Sequence, residues 1–135
     1  MTHKQIQDEV IQKYNVVVVE NSTCWRRTHA HTDGSRRVCK WKRANSVKST
    51  FTLLHEVGHI VTLEDKANKR KWRRAEKEYY ATMWAISRCR EYGITIPRSL
   101  YNLYQNYISM TMDRGMRRGG SEYCNMVLPD DVVND

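Results

Sequence analysis

Residues 50 to 63 read TFTLLHEVGHIVTL. Phe51, Leu54, Val57, Ile60 and Val61 recur at helical spacing, which predicts a helix starting at Ser49 or Thr50 and ending near Leu63. On that helix His55 and His59 lie about one turn apart and leave the same face, so both imidazoles can converge on one ion. Zinc held by neutral histidines polarises a water, and Glu56 can accept that water's proton and later deliver it to a leaving amine. Gly58 removes a side chain beside the histidines and leaves room for close packing.

A catalytic zinc needs a third protein ligand and an open position. After the basic linker EDKANKRKW, a second long helix is predicted from about Arg73 to Tyr92, stopped by Gly93. It is far enough along the chain to double back across the first. Ala81 and Ala85 share a face with Glu78, and such small residues let one helix approach another closely. From Glu76 the equivalent positions are the bulky Tyr79 and Met83. Glu78 is therefore the expected third ligand, and Glu76 an exposed partner for a nearby Lys or Arg.

Working outward, Thr2 caps a first helix carrying Ile6, Val10, Ile11 and Tyr14. The four valines of YNVVVVE predict a buried strand. TDGS, residues 32 to 35, predicts a turn, and RRVCKWKR after it a second strand. Beyond Gly93, ITIP is a short extended link. A third helix starts near Pro97 or Arg98 and buries Leu100, Leu103, Tyr104, Tyr107, Ile108 and Met112. The class is α+β. At 135 residues the chain is most simply one domain over 1–124, with residues 125–135 as a loosely held acidic tail.

Composition limits the rest. Hydrophobic content of 40% and charged content of 28% describe a globular chain. No stretch approaches a membrane span, and MTHKQIQDEVIQKY has no signal-peptide core, which points to the cytoplasm. Cys24, Cys39, Cys89 and Cys124 show no CxxC spacing, so a zinc ribbon is not expected; Cys24 and Cys39 could flank a hairpin. The net charge of +8 is clustered in residues 25 to 43 and 66 to 74, and at Arg114, Arg117 and Arg118. Such clusters suit non-specific contact with nucleic acid or an acidic protein, or serve as solvated faces. Trp84 is expected in the core, while Trp25, Trp41 and Trp72 interleave with basic residues in a way that also suits base stacking.

The helix TFTLLHEVGHIVTL is similar to the F-T-x-x-H-E-x-G-H helix of the ImmA/IrrE family of small zincin-type metallopeptidases. Glu78, Ala81, Trp84 and Ala85 parallel that family's later E-x-x-A-x-x-F-A. The resemblance covers about residues 1 to 90. It implies a small zincin-like domain with His55, His59 and Glu78 on Zn2+ and Glu56 as base. It also implies a protein substrate, since members typically cleave or inactivate a helix-turn-helix repressor encoded in a mobile element or stress pathway. A phage-encoded chain would work in the host cytoplasm. Tyr79 and Tyr80 stand where the family has small polar residues, and nothing past Gly93 has a counterpart. The SprT group also carries HExxH but takes a third histidine, and no histidine follows residue 59.

Peptide hydrolysis also needs a donor to the developing oxyanion. His29, His31, Tyr79, Tyr80 and Tyr123 are candidates, the two histidines lying in a loop beside a strand. The strand RVCKWKR, with Val38 and Lys40, is expected as the edge that an extended substrate joins. The alternative to a zinc endopeptidase is a nucleic-acid- or protein-binding module with a non-catalytic zinc site.

Overall fold

The computed structural model describes residues 1–20, 31–33, 37–64, 72–117 and 126–134. Helix α1 (His3–Lys13) begins where Thr2 accepts from the Gln5 amide and Gln5 accepts from the Thr2 amide, a reciprocal cap for two otherwise orphaned donors. Ile6, Gln7 and Val10 form its buried face. The buried Gln7 amide donates to Ala44 O (2.8 Å) and Thr50 Oγ1 (2.9 Å), tying α1 to the start of the next helix.

Three short strands follow: β1 (Val17–Glu20), β2 (His31–Asp33) and β3 (Val38–Trp41). They form a mixed sheet in the order β1-β3-β2, with β1 parallel and β2 antiparallel to β3. Cys39 and Trp41 point into the core, and the Trp41 indole donates to Ser49 O at 2.9 Å. This overturns two expectations. RVCKWKR is the central strand, so Val38 and Lys40 have neighbours on both sides and β3 itself offers a substrate no edge. His31 lies in a strand, opposite Lys40, where a loop was expected. A three-residue partner strand carries too little periodicity to be read from sequence.

Helix α2 (Val47–Leu63) starts earlier than its apolar stripe suggests, because Ser46 is the cap and accepts from the Ser49 amide. The Ser49 hydroxyl instead pins the incoming chain, donating to Lys42 O and accepting from the Ala44 amide. Helix α3 (Arg74–Tyr92) ends at Gly93, whose φ of 67° is the left-handed conformation that glycine adopts at least cost. Glu76 reaches back to the Arg73 amide and side chain, the basic partner expected for it. Where α2 and α3 meet, a Cβ on Gly58 would stand 2.6 Å from Ala81 O. The approach is closer than any side chain there would permit.

After β4 (Ile96–Pro97), helix α4 (Arg98–Arg117) buries Leu100, Tyr101, Ile108 and Thr111. Leu103, expected inside, is 58% exposed, and Tyr101 takes the inward place. Residues 126–134 are not a loose tail. Met126, Leu128 and Val132 are buried, and β5 (Val133–Asn134) pairs parallel with β4. Tyr101 donates to Leu128 O at 2.6 Å, while Gln105 accepts from the Leu128 amide and donates to Met126 O. Arg90 pairs with Asp131, so the acidic residues that suggested a solvated tail face basic ones. Residues 126–134 thus belong to the core that was assigned to 1–124 alone.

Cys39 and Cys89 are buried, and burial pushes the Cys89 thiol up to about 12. Cys24 and Cys124 lie outside the described residues. Among the described residues no helix is long and apolar enough to cross a membrane.

Two stability outcomes follow from this packing. Gly58→Ala should cost about 1–3 kcal/mol, because backbone must move to admit the methyl; an unchanged denaturant midpoint would show that the contact relaxes freely. Leu128→Ala should cost about 2–5 kcal/mol, as for other buried leucines. A loss of a few tenths would mean that the C-terminal segment contributes no core.

Candidate metal centre

The close approach at Gly58 sets the site. It brings Glu78, one turn before Ala81 on α3, against the histidine face of α2. His55 Nε2 and Glu78 Oε2 are 3.0 Å apart, the two Nε2 atoms 3.1 Å, and His59 Nε2 and Glu78 Oε2 3.2 Å. Three lone-pair atoms so close together repel one another unless a proton or a cation lies among them. The edges are near the roughly 3.3 Å of a tetrahedron with metal bonds of about 2.0–2.1 Å. Two nitrogens and a carboxylate oxygen are also the donor set of many hydrolytic zinc sites. The residues therefore fit zinc.

Thr82 supports the first histidine. Its Oγ1 donates to Glu78 O at 2.8 Å and lies 3.0 Å from His55 Nδ1. A carbonyl only accepts, so the hydroxyl proton is committed there and His55 Nδ1–H must donate to Thr82. In a neutral ring that leaves the Nε2 lone pair facing the centre, while a charged ring also donates from Nε2 to Glu78. The sequence held a signal for this residue: Thr82 is one turn past Glu78, on the same face.

Burial opposes ionisation of Glu78, but hydrogen bonds from His55 and His59 outweigh it and hold the carboxyl well below its usual range. Burial likewise works against a charged His59. Its hydrogen bond to Glu78 and the carboxylates of Glu78 and Glu56 prevail, raising its pKa against the smaller effect of Lys77. The centre thus has a strong preference for positive charge, whether proton or metal. Glu56, only 7% exposed, adjoins the ligands on α2.

Of the expected oxyanion donors, Tyr79 turns its hydroxyl toward Val127 O (3.5 Å) and Tyr80 stacks on Trp72 with centroids 4.4 Å apart. Neither has a described contact with the three ligand residues. His29 and Tyr123 lie outside the described residues, and of His31 only the backbone is described. Trp41 is core, and Trp84 packs edge-on against Tyr14 at 5.0 Å. Trp25 lies outside the described residues, as do parts of the two basic clusters. Of their described members, Arg37 pairs with Glu64 and Arg43 with Asp8.

One aromatic that the sequence placed in the core proves to lie at the site. Tyr104 of α4 places its ring 4.9 Å from that of His55, centroid to centroid. Burial, reinforced by the Glu56 and Glu78 carboxylates, pushes its phenol up to about 12. Helical periodicity places Tyr104 on an inward face but cannot say which inward-facing residue meets the metal face of another helix.

Removal of a ligand and of its support should separate cleanly. Glu78→Ala should abolish stoichiometric zinc binding, read by elemental analysis of the folded protein. Thr82→Val should keep zinc but weaken it about 10- to 100-fold in chelator competition; unchanged affinity would mean that His55 needs no orienting partner.

Comparison of the chain with models of known protein families, with curated proteins and with solved structures gives no match.

Proposed function

We propose that this chain is a zinc-dependent endopeptidase of the ImmA/IrrE type, with a zincin-like arrangement of sheet, ligand helices and metal. The observation that carries the proposal is the convergence of His55, His59 and Glu78 within 3.2 Å, with Glu56 buried beside them. Zinc, when bound, would polarise the scissile carbonyl and acidify the attacking water. His55, His59 and Glu78 would hold the ion, with Thr82 orienting His55. Glu56 takes the proton from the attacking water and passes it to the nitrogen of the leaving amine.

The substrate is a protein. With β3 enclosed, the outer strands of the sheet are β1 and β2, and β2, which packs against α2, is the one an extended chain would join. A main-chain ladder to β2 would lay the scissile bond across the helix that carries Glu56. The resemblance of TFTLLHEVGHIVTL and Glu78–Ala85 to the ImmA/IrrE pattern favours a helix-turn-helix repressor as substrate. The charge of +8 favours a substrate found on nucleic acid, through non-specific contacts.

The test compares the zinc-loaded wild type with Glu56→Gln on an unfolded generic protein and on purified helix-turn-helix repressors, with new N-termini read by mass spectrometry. Cleavage should fall about 100- to 10,000-fold in the variant, while one zinc per chain is retained. Equal cleavage by both proteins would remove Glu56 from the chemistry. A metal-bound wild type that cuts nothing but still binds its partner would favour a binding module with a non-catalytic zinc site.

A further inference from the structure

Three tyrosines follow one another along the first turns of α4, and their hydroxyls have different surroundings. Tyr101 donates to Leu128 O at 2.6 Å, holding the C-terminal segment. Tyr107 accepts from the Arg74 guanidinium at 2.9 Å, which ties α4 to the start of α3. Tyr104, between them, is turned to the metal face of α2. Phe51 meets its ring edge-on, with centroids 4.9 Å apart and planes at 72°. The imidazole of His55, one helical turn further along α2, lies against the same ring at 4.9 Å and 54°.

Thr52 and Glu56 follow Phe51 and His55 along α2, next to the two residues that carry the Tyr104 ring, and the Glu56 carboxylate bears on the phenol. Thr52 donates its own proton to Lys48 O at 2.8 Å, so it offers Tyr104 only a lone pair. A neutral hydroxyl is a weak resting acceptor, and a negatively charged oxygen would displace it. Packing alone against Phe51 and His55 would be served equally well by phenylalanine, with no hydroxyl to desolvate.

We propose that the Tyr104 hydroxyl is a hydrogen-bond donor of the metal centre, directed at an anionic oxygen of a ligand held there. The proposal rests on the metallopeptidase reading, in which that oxygen is the carbonyl oxygen of the scissile bond as it gains charge. It supplies the donor that Tyr79 and Tyr80, with hydroxyl and ring engaged elsewhere, do not. It also gives α4, which lies beyond the family resemblance, a direct part in the chemistry.

The experiment uses cobalt-loaded protein and acetohydroxamate, an anionic metal ligand, with binding followed in the visible spectrum. Wild type and Tyr104→Phe should take up equal cobalt and show the same spectrum before the probe is added, since the ring is retained. The variant should then bind acetohydroxamate about 10- to 100-fold more weakly, the effect of losing one hydrogen bond to a charged acceptor. Equal affinity would overturn the proposal while leaving the metal site intact. A variant whose cobalt spectrum already differs before the probe would also overturn it, because Tyr104 would then be acting through His55. A wild type that takes up no cobalt would remove the metal reading, and this proposal with it.

Discussion

Everything at the candidate centre depends on one contact, the backbone of α3 at Ala81 lying where a side chain on Gly58 would otherwise be. Helices normally pack 8–10 Å apart, at a distance set by the side chains between them. With no side chain at Gly58 and only a methyl at Ala81, α2 and α3 come closer. A glutamate one turn away can then reach two histidines with its short side chain. The site is thus a consequence of packing volume before it is one of chemistry. The same residues with an alanine at 58 would be held further apart.

That closeness has an electrostatic cost, which the chain meets locally. Two imidazoles and a carboxylate are drawn out of water and pressed together, and desolvation disfavours charge on each. Their mutual interaction reverses this, lowering the Glu78 pKa and raising that of His59. Thr82 settles the remaining freedom by accepting from His55, which directs its other nitrogen inward. A group of atoms so arranged favours positive charge at its centre.

The surrounding elements keep this pair of helices in place. Gln7 and Trp41 fasten α1 and the sheet to the start of α2. On the other side α4 is fastened twice, to α3 through Arg74 and Tyr107 and to residues 126–128 through Tyr101 and Gln105. The C-terminal segment is therefore structural, although its composition suggests a solvated end. Asp130 and Asp131 face arginines, and Met126, Leu128 and Val132 are buried in the core.

Helical periodicity along the chain determined α1, α2 and α3, the shared face of His55 and His59, and the choice of Glu78 over Glu76. Each of these rests on residues within a few turns of one another, where sequence spacing translates directly into direction in space. The cap of Glu76 on Arg73 and the stop at Gly93 are local in the same sense. Tertiary structure alone decided that β3 is central, that Leu103 faces out, that residues 126–134 join the core, and that Tyr104 meets His55. These depend on pairings between distant segments, where strand order and helix rotation are set by how all the elements fill one volume. No local pattern encodes that choice.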